Sequence, residues 1–110
     1  MDLDTLADRE RRLRLFELYG GVLNQHQFRI LSLNLAQDWS LAEIATAEGT
    51  SRAAVHEVLQ RAQNTLAEHE RALGLLAAEE GRRRTRTRVL RELGQIRRRV
   101  DQLETLLGTL

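Results

Sequence analysis

Apolar positions in this chain recur at helical rather than strand spacing, and they divide it into five segments. Leu3, Leu6, Leu13, Phe16 and Leu18 form an irregular stripe that predicts a first helix over Leu3 to Tyr19. Gly20 and Gly21 end it, a pair suited to a C′ turn. Asn24, with Gln27 three residues on, opens a second helix with a capping box and carries it to about Gln37. Phe28, Ile30, Leu31, Leu33 and Leu35 cover more than one face of that helix, so it is expected to be central and largely buried. Asp38 and Trp39 form the connector, with Trp39 read as a packed edge of the core.

Residues 40–62, SLAEIATAEGTSRAAVHEVLQRA, carry the most information. Ser40 with Glu43 makes a second capping box, opening a short helix whose inner face is Leu41, Ile44 and Ala45. Gly49 stands where a turn would require positive φ. Ser51 then caps a new helix with Val55, Val58, Leu59 and Ala62 facing inward. Two short segments joined by a glycine turn, the second running on at length, make a helix-turn-helix.

The last segment repeats on a different period. Val89, Leu93, Ile96, Val100, Leu103, Leu107 and Leu110 alternate spacings of four and three, the seam of a coiled coil. Such a stripe must be covered, either by a second copy of the chain or by a fold back onto the preceding helix, with Gly74 and Gly81 permitting the reversal. The homodimer is the preferred reading. The fold class is therefore all-α: a helical domain over residues 1–77 with the helix-turn-helix at 40–62, then a basic heptad-repeat helix over 78–110.

Composition narrows the chemistry. The chain of 110 residues has no Cys and no Pro, and every one of its 17 basic residues is Arg. Disulfides, thiolate chemistry, thiolate zinc sites and lysine-based catalysis are excluded. His26, His56 and His69 lack the spacing of a helical metal pair, and His69 reads as a packed core residue. No serine sits in a nucleophile elbow, and the helical carboxylates have no companion histidine at metal-site spacing. The expectation is a non-enzyme with no metal and no cofactor. No apolar run reaches the ~20 residues of a membrane span, and Met1 opens onto Asp2 and Asp4, so a cytoplasmic location is expected.

A formal net charge of +1 conceals a segregation. Residues 1–81 hold 8 Arg against 13 Asp+Glu, whereas residues 82–110 hold 9 Arg against 3 Asp+Glu. Residues 82–88 read RRRTRTR, so Arg82, Arg83, Arg84, Arg86 and Arg88 form a dense cluster. Guanidinium groups bind phosphates bidentately and stack on exposed bases, which makes the arm a candidate grip on RNA or DNA. A solvated face, or one that pairs with an acidic partner, is the competing reading.

Residues 15–76 resemble the YlxM-type helix-turn-helix proteins, small bacterial proteins with a fold similar to region 4 of sigma-70-type factors. The likeness rests on the LF-x-x-YG opening (Leu15, Phe16, Tyr19, Gly20), on Gln27, and on the SLAEIA block from Ser40 to Ala45. It continues through the SR-x-AV block (Ser51, Arg52, Ala54, Val55) and the long helix with Leu66, Glu70 and Leu73. The tail lies outside it. Members are encoded beside the signal recognition particle genes. The resemblance therefore implies an accessory role in that pathway, binding the particle's RNA or protein, or its receptor, and modulating its GTPase cycle.

The alternative is a transcription regulator reading DNA through the outward positions at the start of the second motif helix. Those positions are Ser51, Arg52, Ala53, His56, Glu57 and Gln60, with Arg61 near the DNA backbone. Against it, the family usually has a Gln, a Tyr and Lys residues there, while this chain has Ala53 and His56. Residues 40–62 also set Arg52 and Arg61 against Glu43, Glu48 and Glu57, a poor balance for neutralising phosphate. A third reading makes the motif a protein-docking element and the heptad tail a recruiter of partners.

Overall fold

A computed structural model of the chain describes residues 3–110, with side chains from Leu6 onward. Among the described residues there are five α-helices and no strand: α1 (Leu3–Tyr19), α2 (Gln25–Leu35), α3 (Leu41–Glu48), α4 (Arg52–Leu73) and α5 (Leu75–Leu107). A 3₁₀ turn at Gly20–Val22 follows α1. The chain forms two compact units, the first ending at Leu76 and the second running from Ala77 to Leu110.

In the first unit α4 is the spine against which α1, α2 and α3 pack. Val55, Leu59, Ala62 and Leu66 recur at helical spacing on its inner face, and all four are buried. They meet Leu15, Phe16 and Tyr19 from α1, Ile30, Leu31 and Leu35 from α2, and Ile44 and Ala45 from α3. Trp39 packs partly buried against the edge of this cluster. Leu6 is 42% exposed and Leu13 and Leu18 are half-buried, so the first stripe covers the core only in its second half. Leu3 lies outside the residues whose side chains are described.

Both expected capping boxes form. Asn24 Oδ1 accepts from Gln27 N at 2.8 Å while Gln27 Oε1 accepts from Asn24 N, and Ser40 and Glu43 repeat the exchange at 3.1 Å each way. Three details depart from the sequence reading. The second helix ends at Leu35 rather than Gln37, because Gln37 N turns back to Ser32 O and Trp39 N to Leu33 O. That helix is buried on one side only, since Phe28 is 45% exposed, its ring lying 4.9 Å from that of Phe16.

The third departure concerns Gly20 and Gly21, which make no left-handed turn; positive φ among the glycines occurs at Gly49 and Gly74. Gly20 is instead required by contact. A Cβ there would stand 3.2 Å from the ring of Phe16 and 3.3 Å from that of Phe28. The two rings thus account for the glycine of the LF-x-x-YG opening.

Polar ties fix the helix ends. Arg9 donates to the carbonyls of Asn34 and Leu35 at the end of α2 and pairs with Asp38 at 2.8 Å. Asp38 itself adopts φ 61°, the left-handed region that a short side chain able to bond locally tolerates. Tyr19 Oη donates to Glu70 Oε1 at 2.6 Å and accepts from Leu75 N, while Leu76 N donates to the same carboxylate oxygen. Two otherwise orphaned N–H groups at the start of α5 are satisfied in this way. Burial, and then the bond to Glu70, raises the Tyr19 pKa above its ordinary value.

In the second unit α5 runs without interruption through Gly81 and Gly94, so no reversal occurs at Gly81. Gly74, at φ 64°, ends α4 immediately before it.

Candidate nucleic-acid interface

The motif over residues 40–62 is built from local rules. Gly49 caps α3 at φ 67° and ψ 37°, with Thr50 N returning to Ala45 O at 3.0 Å. Ser51 Oγ accepts from Ala54 N at 3.1 Å and opens α4. Ala45 is 5% exposed, and its small side chain lets α3 approach α4.

A clamp holds this motif to α2. Arg29 reaches Glu48, the last residue of α3, with Nε–Oε1 at 2.8 Å and Nη2–Oε2 at 3.1 Å. The same guanidinium lies 3.0 Å from His26 Nδ1. The bidentate pair raises the Arg29 pKa and lowers that of Glu48, in each case chiefly through the hydrogen bond. Glu43 is also held below the usual carboxylate range, mainly by the Ser40 backbone N–H and then its hydroxyl.

Arg52, His56 and Gln60 fall at i, i+4 and i+8 on a flank of α4, about 90° round the helix from its buried residues, and all three are exposed. Ala53 lies exposed beside them, and Ser51 stands at their N-terminal end with its oxygen committed to the cap. Asn64 extends the ridge by another turn, a member that its i+4 spacing from Gln60 could have revealed. No side-chain partner for Arg52 occurs among the described residues, whereas Arg61 pairs with Glu57 at 2.7 Å on its own helix. Arg61 thus brings little net charge, and the cationic head of the ridge is Arg52. A groove with Asp8, Arg12, Asn34, His56, Gln60 and Gln63 along it and Leu41 and Leu59 in its lining runs alongside.

In the second unit Arg82, Arg83, Arg84, Arg86 and Arg88 are all exposed on α5. The approach of Arg88 Nε to Glu92 Oε1, at 4.0 Å, leaves the cluster's charge nearly intact. At 100° per residue, Arg84, Arg88, Arg91, Arg98 and Arg99 gather on one side of α5, and Val89, Leu93, Ile96, Val100, Leu103 and Leu107 on the other. Those six apolar residues are between 46% and 68% exposed. The helix is thus amphipathic from Val89 to Leu107.

A family described as "Putative helix-turn-helix protein, YlxM / p13 like" matches residues 6–106. The chain belongs to this family. The match reaches well past residue 76 and takes in most of α5. A UPF0122 protein of Symbiobacterium thermophilum is 38% identical over 96 residues, covering 87% of this chain and 86% of the relative. One from Lacticaseibacillus casei is 43% identical over 63 residues, covering 57% and 56%, and one from Clostridium kluyveri is 40% identical over 70 residues, covering 61% and 63%. Helix-turn-helix membership points to nucleic acid as the partner. No described helix is long and apolar enough to cross a membrane, and among the described residues no His, Asp and Glu cluster could hold a metal ion.

Proposed function

We propose that this YlxM-type protein is a cytoplasmic, non-enzymatic DNA-binding regulator. In this reading α4 enters the major groove with Arg52, His56 and Gln60 towards base edges. The observation that carries it is the exposed ridge on the N-terminal half of α4, presented by a helix-turn-helix whose caps and glycine turn are all in place. Because residues 40–62 hold two Arg against three Glu, most of the affinity falls to the arginines of α5, which neutralise phosphate without reading sequence. Two copies joined through the α5 seam would bring two such ridges into one assembly.

A second reading is favoured by the exposure and density of that arginine cluster. The arm grips signal recognition particle RNA, or the motif docks on the particle's protein or receptor, as an accessory of the targeting pathway. The two readings separate in one experiment. Selection of duplex sequences by the full chain, followed by footprinting, is expected to yield a defined protected site that is lost in Arg52→Ala. Sequence-indifferent DNA binding, together with tighter, salt-sensitive binding to particle RNA that ignores Arg52→Ala, would overturn the regulator reading and install the accessory one.

A further inference from the structure

The exposed seam of α5 carries more information than its apolar residues alone. In heptad terms Leu93, Val100 and Leu107 take the a positions, and Val89, Ile96 and Leu103 the d positions. Of the six positions flanking this seam, Leu90 and Leu106 are apolar and the other four are charged in an ordered way. Glu92 and Arg99 lie on the g side, Arg97 and Glu104 on the e side. All four belong to α5 and all are exposed.

From this pattern we infer that α5 zips to α5 of a second copy in parallel and in register. The inference rests on the two-copy reading above and adds its orientation. In a parallel pair each g residue faces the e residue five positions on in the other helix. Glu92 then meets Arg97 of the second copy and Arg99 meets Glu104, and two-fold symmetry repeats both attractions. Every apolar layer from Val89 to Leu107 faces its own counterpart.

The antiparallel arrangement that keeps the same apolar overlap sets Leu93 against Leu103 and Val100 against Ile96. Its flanks bring Arg97 against Arg97 and Arg99 against Arg99, a like-charge clash at both edges. Sliding that arrangement by one heptad relieves the clash, but it strands Val89 in one direction and draws Arg86 opposite Leu103 in the other. Charge and apolar register agree only in the parallel pair.

The upstream boundary follows from the same frame. Arg82 and Arg86 occupy the next seam positions before Val89, where in a parallel pair each would face its own copy. The zipper therefore starts at Val89. The arginine clusters of the two chains stand together at its N-terminal mouth, doubling the local positive charge available to a phosphate backbone.

The test uses the full chain. Because the sequence has no Cys, Leu103→Cys introduces a single thiol. In the parallel pair the two thiols face each other, and mild oxidation is expected to give a covalent dimer in high yield. In the antiparallel pair position 103 faces position 93, placing the two Cα atoms about 15 Å apart along the axis, beyond the roughly 7 Å a disulfide spans. In parallel, sedimentation equilibrium compares Glu92→Arg, Arg97→Glu and the double swap. Each single reversal is expected to weaken association about tenfold, and the swap to restore it. A monomer at every concentration up to about 100 µM would overturn the two-copy reading together with this one. A dimer that forms no disulfide and ignores the reversals would overturn the parallel register alone.

Discussion

Three glycines of the first unit separate steric from conformational demand, and alanine at each gives a different expected result. At Gly49 an added Cβ meets nothing within 4 Å, so the whole cost is that of holding an L-residue at φ 67°, about 1–2 kcal/mol. At Gly20 the backbone makes no such demand, and the cost is the Cβ pressing on the Phe16 and Phe28 rings at 3.2 and 3.3 Å. Overpacking of this kind costs roughly 1–3 kcal/mol. Phe28, 45% exposed, can give ground, which favours the lower half of that range. At Gly21 neither demand exists, and alanine should stabilise by about 0.4–1 kcal/mol through the unfolded chain. In a domain of this size 1 kcal/mol moves Tm by about 4–8 °C. Thermal melts followed by fluorescence of Trp39, the single tryptophan, report on the first unit. Gly49→Ala and Gly20→Ala should melt several degrees below the parent, and Gly21→Ala at or above it. The decisive controls are cross-terms. Phe28→Ala should shrink the cost of Gly20→Ala but leave that of Gly49→Ala unchanged, and Gly49→Asn should cost less than Gly49→Ala because asparagine tolerates the left-handed region. Equal losses at Gly20 and Gly21, or a Gly20 cost indifferent to Phe28, would refute the reasoning.

The remaining predictions address the polar ties and the arm. Glu48 has a folded pKa below the ordinary glutamate value of 4.5, so its contribution to stability is full above that value and is lost as pH falls through the lowered one. Glu48→Gln should therefore flatten the acid limb of a stability-against-pH curve while leaving its alkaline limb alone. Tyr19 behaves oppositely: its raised pKa makes its contribution full below pH 10 and lost as pH rises through the folded value. Tyr19→Phe should lower the urea midpoint at neutral pH, because Leu75 N–H loses its acceptor, and should remove part of the alkaline decline. Ser51→Ala should destabilise by about 0.5–2 kcal/mol, measured by urea unfolding, through loss of the α4 cap. Replacing Arg82, Arg83, Arg84, Arg86 and Arg88 by Gln should make the log–log salt slope of duplex binding shallower by roughly 0.9 for each phosphate no longer neutralised. An unchanged slope would remove the arm from the interface.

Much of this architecture is local and was legible in the sequence. The Asn24–Gln27 and Ser40–Glu43 boxes, the Ser51 cap and the left-handed Gly49 depend on residues no more than five apart, so helix geometry alone specifies them. The exposed ridge of Arg52, His56 and Gln60 and the heptad seam of α5 follow from the same periodicity. The tertiary structure decided what depends on distant partners. Gly20 looked like a turn glycine and proved to be a contact between two rings, because Phe28 lies on the next helix. Tyr19 joins Glu70 and Leu75 across more than fifty positions, and Arg9 and Arg29 choose Asp38 and Glu48 among many acidic residues of equal chemical suitability. The physical division is one of range. Backbone geometry fixes what lies within a turn of helix, while a long side chain's partner is fixed only once packing has brought two helices together.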